Sequence, residues 1–155
     1  VTALKDKVTV ISYNEERLEN FRSDALSQLA MYAQMYGMDS DTLASYSGYE
    51  SADAYAQEQS EYYCTLMMMF EKLAADKGIS VTDEEVDESI QKYMDDYGYT
   101  DTYTLDQFKD INGDTWLEQY RILSVLGNKV LEALEPNVVL VDSQPEAEVE
   151  TSAAE

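Results

Sequence analysis

The chain has 155 residues, 45% of them apolar, which suits one folded domain. Its 10 Lys and Arg face 32 Asp and Glu, a formal net charge of −22, so phosphate backbones and anionic membranes are repelled and nucleic acid and membrane are excluded as partners. With no histidine and one cysteine it lacks the commonest general base, the commonest metal ligand and any intrachain disulfide. No apolar run approaches the ~18–20 residues that span a bilayer. The chain opens at Val1 without a signal peptide, as a mature form or an excised fragment would.

Residues 1–13 read as a linker followed by a short strand, because Val8 to Tyr13 is rich in β-branched residues. Asn14 is placed to cap a helix whose first turn holds Glu15 and Glu16. Leu18, Phe21, Ala25, Leu29, Tyr32 and Tyr36 recur every three or four positions, which predicts an amphipathic helix stopped by Gly37. A short helix over Asp39 to Tyr46 and a break at Ser47-Gly48 come next, and Ser51 then caps a long helix.

That helix runs into Tyr62 to Phe70, nine residues of which only Thr65 is polar, a stretch suited to the middle of a bundle. Cys64 within it is expected to be a buried, inert thiol. Lys72 and Lys77 complement the C-terminal end of the helix dipole, and Gly78 offers the left-handed stop. Ile79 to Val81 form a short link. Thr82 and Glu85 then make a capping box for a helix carrying Val86, Ile90, Tyr93, Met94 and Tyr97.

The pattern then returns. Tyr97-Gly98 repeats Tyr36-Gly37, Leu105 and Phe108 repeat Leu43 and Tyr46, and Thr104 with Gln107 makes another capping box. Asn112-Gly113 breaks the chain before a last long helix with Trp116, Tyr120, Leu123, Val130 and Leu134 on one stripe. Helix, Tyr-Gly, short helix, break and long helix thus occur twice, about sixty residues apart, as in a duplicated helical arm. Pro136 ends the second copy, and Asn137 to Val141 is a second strand candidate that would pair with the first. The expected fold is all-α, a helical bundle with two hairpin-like arms over residues 14–135, with a two-stranded β pairing at the termini. Residues 136–155 would add the second strand and a disordered acidic tail.

Patterns that invite catalysis fall away. Asp110 opens a calcium-loop-like stretch, but Thr115 and Arg121 occupy the positions that need Gly and Glu. Acidic residues at Asp83, Glu84 and Glu85 are the usual choice for a first turn. Phosphate loops, Cys-x-x-Cys pairs and nucleophile elbows are all missing. The chain is therefore read as no enzyme, with no cofactor and no metal.

Lys72 to Tyr93, KLAADKGISVTDEEVDESIQKY, resembles the C-terminal domain of bacterial trigger factor. There, too, a helix ending in a basic residue and Gly passes through an I-x-V-T link into an acidic helix, and the periplasmic chaperone SurA shares the helical architecture. The resemblance implies an ATP-independent chaperone domain whose arms cradle unfolded or nascent polypeptide, in the cytoplasm, or outside it if the parent carries a signal peptide. Ribosome docking and prolyl isomerisation would reside in domains outside these residues.

The 13 Tyr and 7 Met supply flexible, polarizable contact groups suited to varied partners. Met31, Met35, Met38, Tyr46, Tyr49, Met67, Met68, Tyr99 and Tyr103 are the candidate client-binding residues. Core filling is the competing role for the Met67–Met69 run, since adjacent helical residues diverge by about 100°. The alternative function is a helical protein–protein interaction or homodimerisation module whose apolar stripes serve one fixed interface.

Overall fold

The structure, a computed structural model, describes residues 8–135. Six α-helices carry the fold: α1 (Glu15–Met35), α2 (Ser40–Tyr46), α3 (Ala52–Lys77), α4 (Asp83–Asp96), α5 (Leu105–Gln119) and α6 (Gly127–Leu134). A 3-10 turn, Tyr99–Asp101, separates α4 from α5, and a π-helical segment, Tyr120–Leu126, joins α5 to α6 without a break. The all-α expectation holds: among the described residues there is no strand.

Val8 to Tyr13 therefore departs from the expected strand. Ile11 is 96% exposed, and Tyr13 instead turns inward, its hydroxyl 3.3 Å from Thr65 Oγ1. Among the described residues the segment has no ladder partner, and β-branched composition makes a strand only where a second strand completes it. The other half of the expected pairing, Asn137 to Val141, lies outside the described residues, as does the tail.

Local chemistry sets the helix boundaries. Asn14 Oδ1 accepts from the Arg17 amide at 3.0 Å, and both Thr82–Glu85 and Thr104–Gln107 close as reciprocal capping boxes. At the end of α3 the Ile79 amide donates to the Ala74 carbonyl at 2.9 Å while Gly78 takes φ +68°. This is the Schellman closure, which needs a residue at ease in the left-handed region.

The element order repeats as the sequence pattern requires. Gly37 and Gly98 stop the first helix of each copy, and Gly48 and Gly113 break each short helix from the long one; all four have positive φ. Gly113, at φ 78° and ψ 173°, turns the chain inside α5, so residues 114–134 form a second rod analogous to α3.

Two cores result. The larger gathers Phe21, Cys64, Leu66, Met67, Met69, Phe70, Ala74, Ile122 and Val130 from α1, α3 and the C-terminal rod. The smaller holds Val86, Ile90, Met94 and Phe108, with Trp116, Leu117, Tyr120 and Val125 packed against it. The stripe expected from Trp116 to Leu134 is thus split: Trp116 and Tyr120 serve the second arm, whereas Leu123 and Leu134 serve the first core. The π segment, Tyr120–Leu126, contains the changeover from one core to the other, and its wider turn shifts the angular phase of the residues along it.

Candidate functional site

Along α1, Leu29 and Ala33 face inward and are buried. Met31 and Met35, one turn apart, lie on the outward side, and Tyr32 and Tyr36 beside them are exposed as well. These four side chains form a contiguous soft apolar strip leading to the end of the arm. Tyr32 and Tyr36 were expected on the inward stripe. Ala33 takes the buried position between them, and the small Ala44, Ala56 and Ser60 of α2 and α3 are fully buried as well.

The remaining candidates fall in different environments. Tyr46 closes α2 with 79% of its surface exposed, while Met38 and Tyr49 are half-buried. Tyr49 meets Tyr55 edge-on at 5.1 Å and donates from its hydroxyl to Glu58. Met68 is half-buried on α3, but Met67 is completely buried in the main core. Met67 therefore faces no client in this fold. A helix enclosed on most sides turns two of three consecutive methionines inward, and Met67 and Met69 are those two.

On the second arm, Tyr99 and Tyr103 are exposed around the 3-10 turn. Tyr99 belongs to a chain of rings: Tyr97 and Tyr93 lie 4.7 Å apart, Tyr99 and Phe108 5.4 Å, Phe108 and Trp116 5.7 Å, and Trp116 and Tyr120 5.0 Å. Burial raises the Tyr93 phenol above the ordinary tyrosine value. Its outer members, Tyr97 and Tyr99, are open to solvent; the inner ones hold the arm together. Tyr97, which shares the apolar spacing of α4, sits at the helix end and is exposed.

The arms are tied to the body by ion pairs. Arg17 of α1 grips Glu71 of α3 with two hydrogen bonds of 2.9 Å and reaches Glu118 at 2.7 Å. The Glu71 hydrogen bond above all raises its pKa further beyond the ordinary arginine range. At the link between the arms, Lys129 donates to the Ser80 carbonyl at 2.8 Å and pairs with Glu85, while Arg121 donates to the Val81 carbonyl at 3.2 Å and pairs with Asp83. Lys109 pairs with Asp87 at 2.6 Å. Much of the scarce positive charge thus fixes the geometry of the arms and leaves the exposed surface strongly acidic.

Between α1, α3 and the rod lies a cleft of about 170 Å³, lined by Phe21, Tyr55 and Tyr63 together with Gln28, Gln59 and Gln119. Phe21 and Tyr63 stack at 5.4 Å. Sequence reasoning passed over Tyr63 because it stands within a run that reads as continuous core. Among the described residues no cluster of three metal-ligating side chains occurs, and burial pushes the Cys64 thiol above its ordinary pKa, away from thiolate chemistry. No helix among the described residues is long and apolar enough to cross a membrane.

The family model described as bacterial trigger factor protein (TF) C-terminus matches residues 1–134. The chain belongs to that family. The match is to the chaperone portion of trigger factor, distinct from its prolyl-isomerase domain, so the domain is non-enzymatic. The two-copy element order, with Gly78 and the Thr82 capping box joining the copies, is the form that this trigger-factor domain takes here. No curated protein and no solved structure matches the chain.

Proposed function

We propose that this domain holds unfolded or nascent polypeptide, without ATP and without bond chemistry, on the exposed Met and Tyr surfaces of its two arms. The observation that carries this is the strip Met31, Tyr32, Met35 and Tyr36, solvent-exposed on a chain of the trigger factor family. Four large apolar side chains exposed together on one helix face contribute nothing to the core. Methionine adapts to irregular partners, and tyrosine offers ring contact with a polar tip.

Tyr46 and the Tyr97–Tyr99 pair extend the same chemistry to α2 and to the second arm. Binding spread over many small contacts is weak and tolerant of sequence, as a holding activity requires. By family the setting is the cytoplasm.

The test is suppression of aggregation of several unrelated unfolding proteins, with the mass of the chain in solution measured alongside. Met31→Ser, Met35→Ser and Tyr36→Ser combined should reduce suppression severalfold while the helical circular dichroism is unchanged. No suppression by the unmodified chain, with a tight dimer split by those substitutions, would show a fixed interface instead.

A further inference from the structure

Methionine sulfur is oxidised where it is accessible, and the fold sorts the seven methionines of this chain by access. We propose that Met31 and Met35 form a reversible oxidation site, converted to the sulfoxide by a neutral hydroperoxide, which switches the outward face of α1 from apolar to polar while the fold stays intact. This rests on the holding function proposed above and gives that surface a redox control.

Access is the first argument. Met31 is 52% and Met35 73% exposed, whereas Met67 and Met94 have no exposed surface and Met69 has 4%. Met38 and Met68 lie between these extremes. Met31 and Met35 stand one turn apart on α1, so both sulfurs alter the same strip. The packing of that part of α1 is carried by Leu29 and Ala33, which are buried on the opposite side. Oxygen added to the outward sulfurs therefore removes no core contact.

Competition is the second. Cys64 is 2% exposed and burial pushes its thiol up, so no reactive thiolate draws the oxidant away. Charge selects the oxidant. Residues 23–71, which run through the first arm, contain no Lys or Arg, and the chain is −22 overall. Anionic oxidants are repelled from such a surface, and a neutral hydroperoxide is not.

The chemistry balances without a metal or a cofactor. A lone pair of the thioether forms the S–O bond as the O–O bond of hydrogen peroxide breaks. The departing hydroxide takes the proton from the transferred oxygen and leaves as water. Sulfur loses two electrons and the peroxide gains them. The sulfoxide is polar and chiral, and reductases selective for each epimer return it to the thioether, with two thiols becoming a disulfide and the oxygen leaving as water. Two adjacent sulfoxides would thus interrupt the strip that Tyr32 and Tyr36 complete.

The experiment treats the full chain with hydrogen peroxide and follows each methionine by peptide mass mapping. Met31 and Met35 should oxidise at least about tenfold faster than Met67, Met69 and Met94 in the folded chain, and all seven at similar rates in urea. At the point where only Met31 and Met35 are modified, helical circular dichroism should be unchanged. Retention on a hydrophobic-interaction column should shorten, and aggregation suppression should fall severalfold. Methionine sulfoxide reductases of both epimer selectivities, supplied with a dithiol, should restore both.

Two variants complete the test. Met31→Leu with Met35→Leu, compared with its own untreated level, should lose neither retention nor suppression under peroxide. Met31→Gln with Met35→Gln, at exposed helical positions that tolerate Gln, should show the short retention without peroxide. Equal oxidation rates for exposed and buried methionines in the folded chain would overturn the proposal, as would a peroxide response undiminished in the leucine pair. If suppression is the same before and after oxidation of Met31 and Met35, the switch falls and the holding function stands. If the untreated chain suppresses no aggregation, the holding function falls, and oxidation order, retention and reversal decide the site by themselves.

Discussion

Arg17 and Glu71 meet fork to fork, with both terminal guanidinium nitrogens on both carboxylate oxygens at 2.9 Å, and the same arginine also engages Glu118. One cation thereby binds α1, α3 and the C-terminal rod at the edge of the main core, where its side chain is 22% exposed. In a chain this acidic, removing it would leave two carboxylates facing each other across the helices. Arg17→Ala is expected to destabilise the fold by about 2 kcal/mol, the scale of hydrogen bonds to charged groups after allowance for solvent screening. Arg17→Lys should recover less than half of that, because an ammonium cannot reproduce the planar fork. Urea unfolding of the two variants measures both values, and equal stability of Arg17→Ala and the unmodified chain would show that the contact adds nothing.

The link between the arms responds to acid in a direction fixed by Glu85. Its hydrogen bond to Lys129, and then the Thr82 amide, hold its carboxyl below the ordinary glutamate pKa. A carboxyl depressed in the folded state adds stability that is complete above the unfolded pKa and is lost as pH falls through the folded one. Asp39, depressed by the Thr42 amide and hydroxyl, works in the same direction. Stability should therefore decline below the ordinary carboxylate range, and Glu85→Gln should flatten part of that decline. Thermal unfolding between pH 3 and pH 7 is the check; an unchanged slope for Glu85→Gln would remove Glu85 from the acid response.

What the sequence revealed follows the range of the forces involved. Asn14, Thr82 and Thr104 were legible as caps because a cap is settled within four residues. The repeat was legible because Gly at a helix stop has a local conformational cause. Met67 and Met68 were not separable, since a run that is apolar all round has no phase from which to tell inside from outside. Tyr32 and Tyr36 share the spacing of the buried stripe, yet the fold buries Ala33 between them and leaves both tyrosines exposed, a tertiary outcome that spacing does not carry. The cleft brings together Phe21, Tyr63 and Gln119, which are too distant in sequence for any local motif to join.

Two glycines separate backbone strain from steric conflict. Gly113 sits at φ 78° and ψ 173°, a region essentially reserved for glycine, with open space where a Cβ would point. Gly127 has ordinary helical angles, but an added Cβ would lie 3.0 Å from the buried Phe70 ring. Gly113→Ala should cost about 1–3 kcal/mol through the backbone alone. Gly127→Ala gains up to about 1 kcal/mol in helix propensity and loses about 1–3 to overpacking, a net destabilisation of about 1 kcal/mol. Combining Gly127→Ala with Phe70→Leu should restore part of the second loss, whereas Gly113→Ala should be insensitive to Phe70. Denaturation of the three single and two double variants decides this, and rescue of Gly113→Ala by Phe70→Leu would contradict the assignment.

Met67 and Met35 divide core from surface most sharply. Met67 has no exposed surface and packs in the main core, whereas Met35 is 73% exposed on the outward face of α1. Met67→Ala leaves a cavity that close-packed neighbours fill only partly, and should cost about 2–5 kcal/mol. Met35→Ala should fall within about 0.5 kcal/mol of the unmodified chain. Their effects on client binding should be reversed: Met35→Ala weakens aggregation suppression at full stability, and Met67→Ala leaves it intact at temperatures where the variant remains folded. Measured together, unfolding curves and aggregation assays separate the two roles. Loss of suppression by folded Met67→Ala would mean that the core opens to admit clients, and that the holding surface extends beyond the exposed strip.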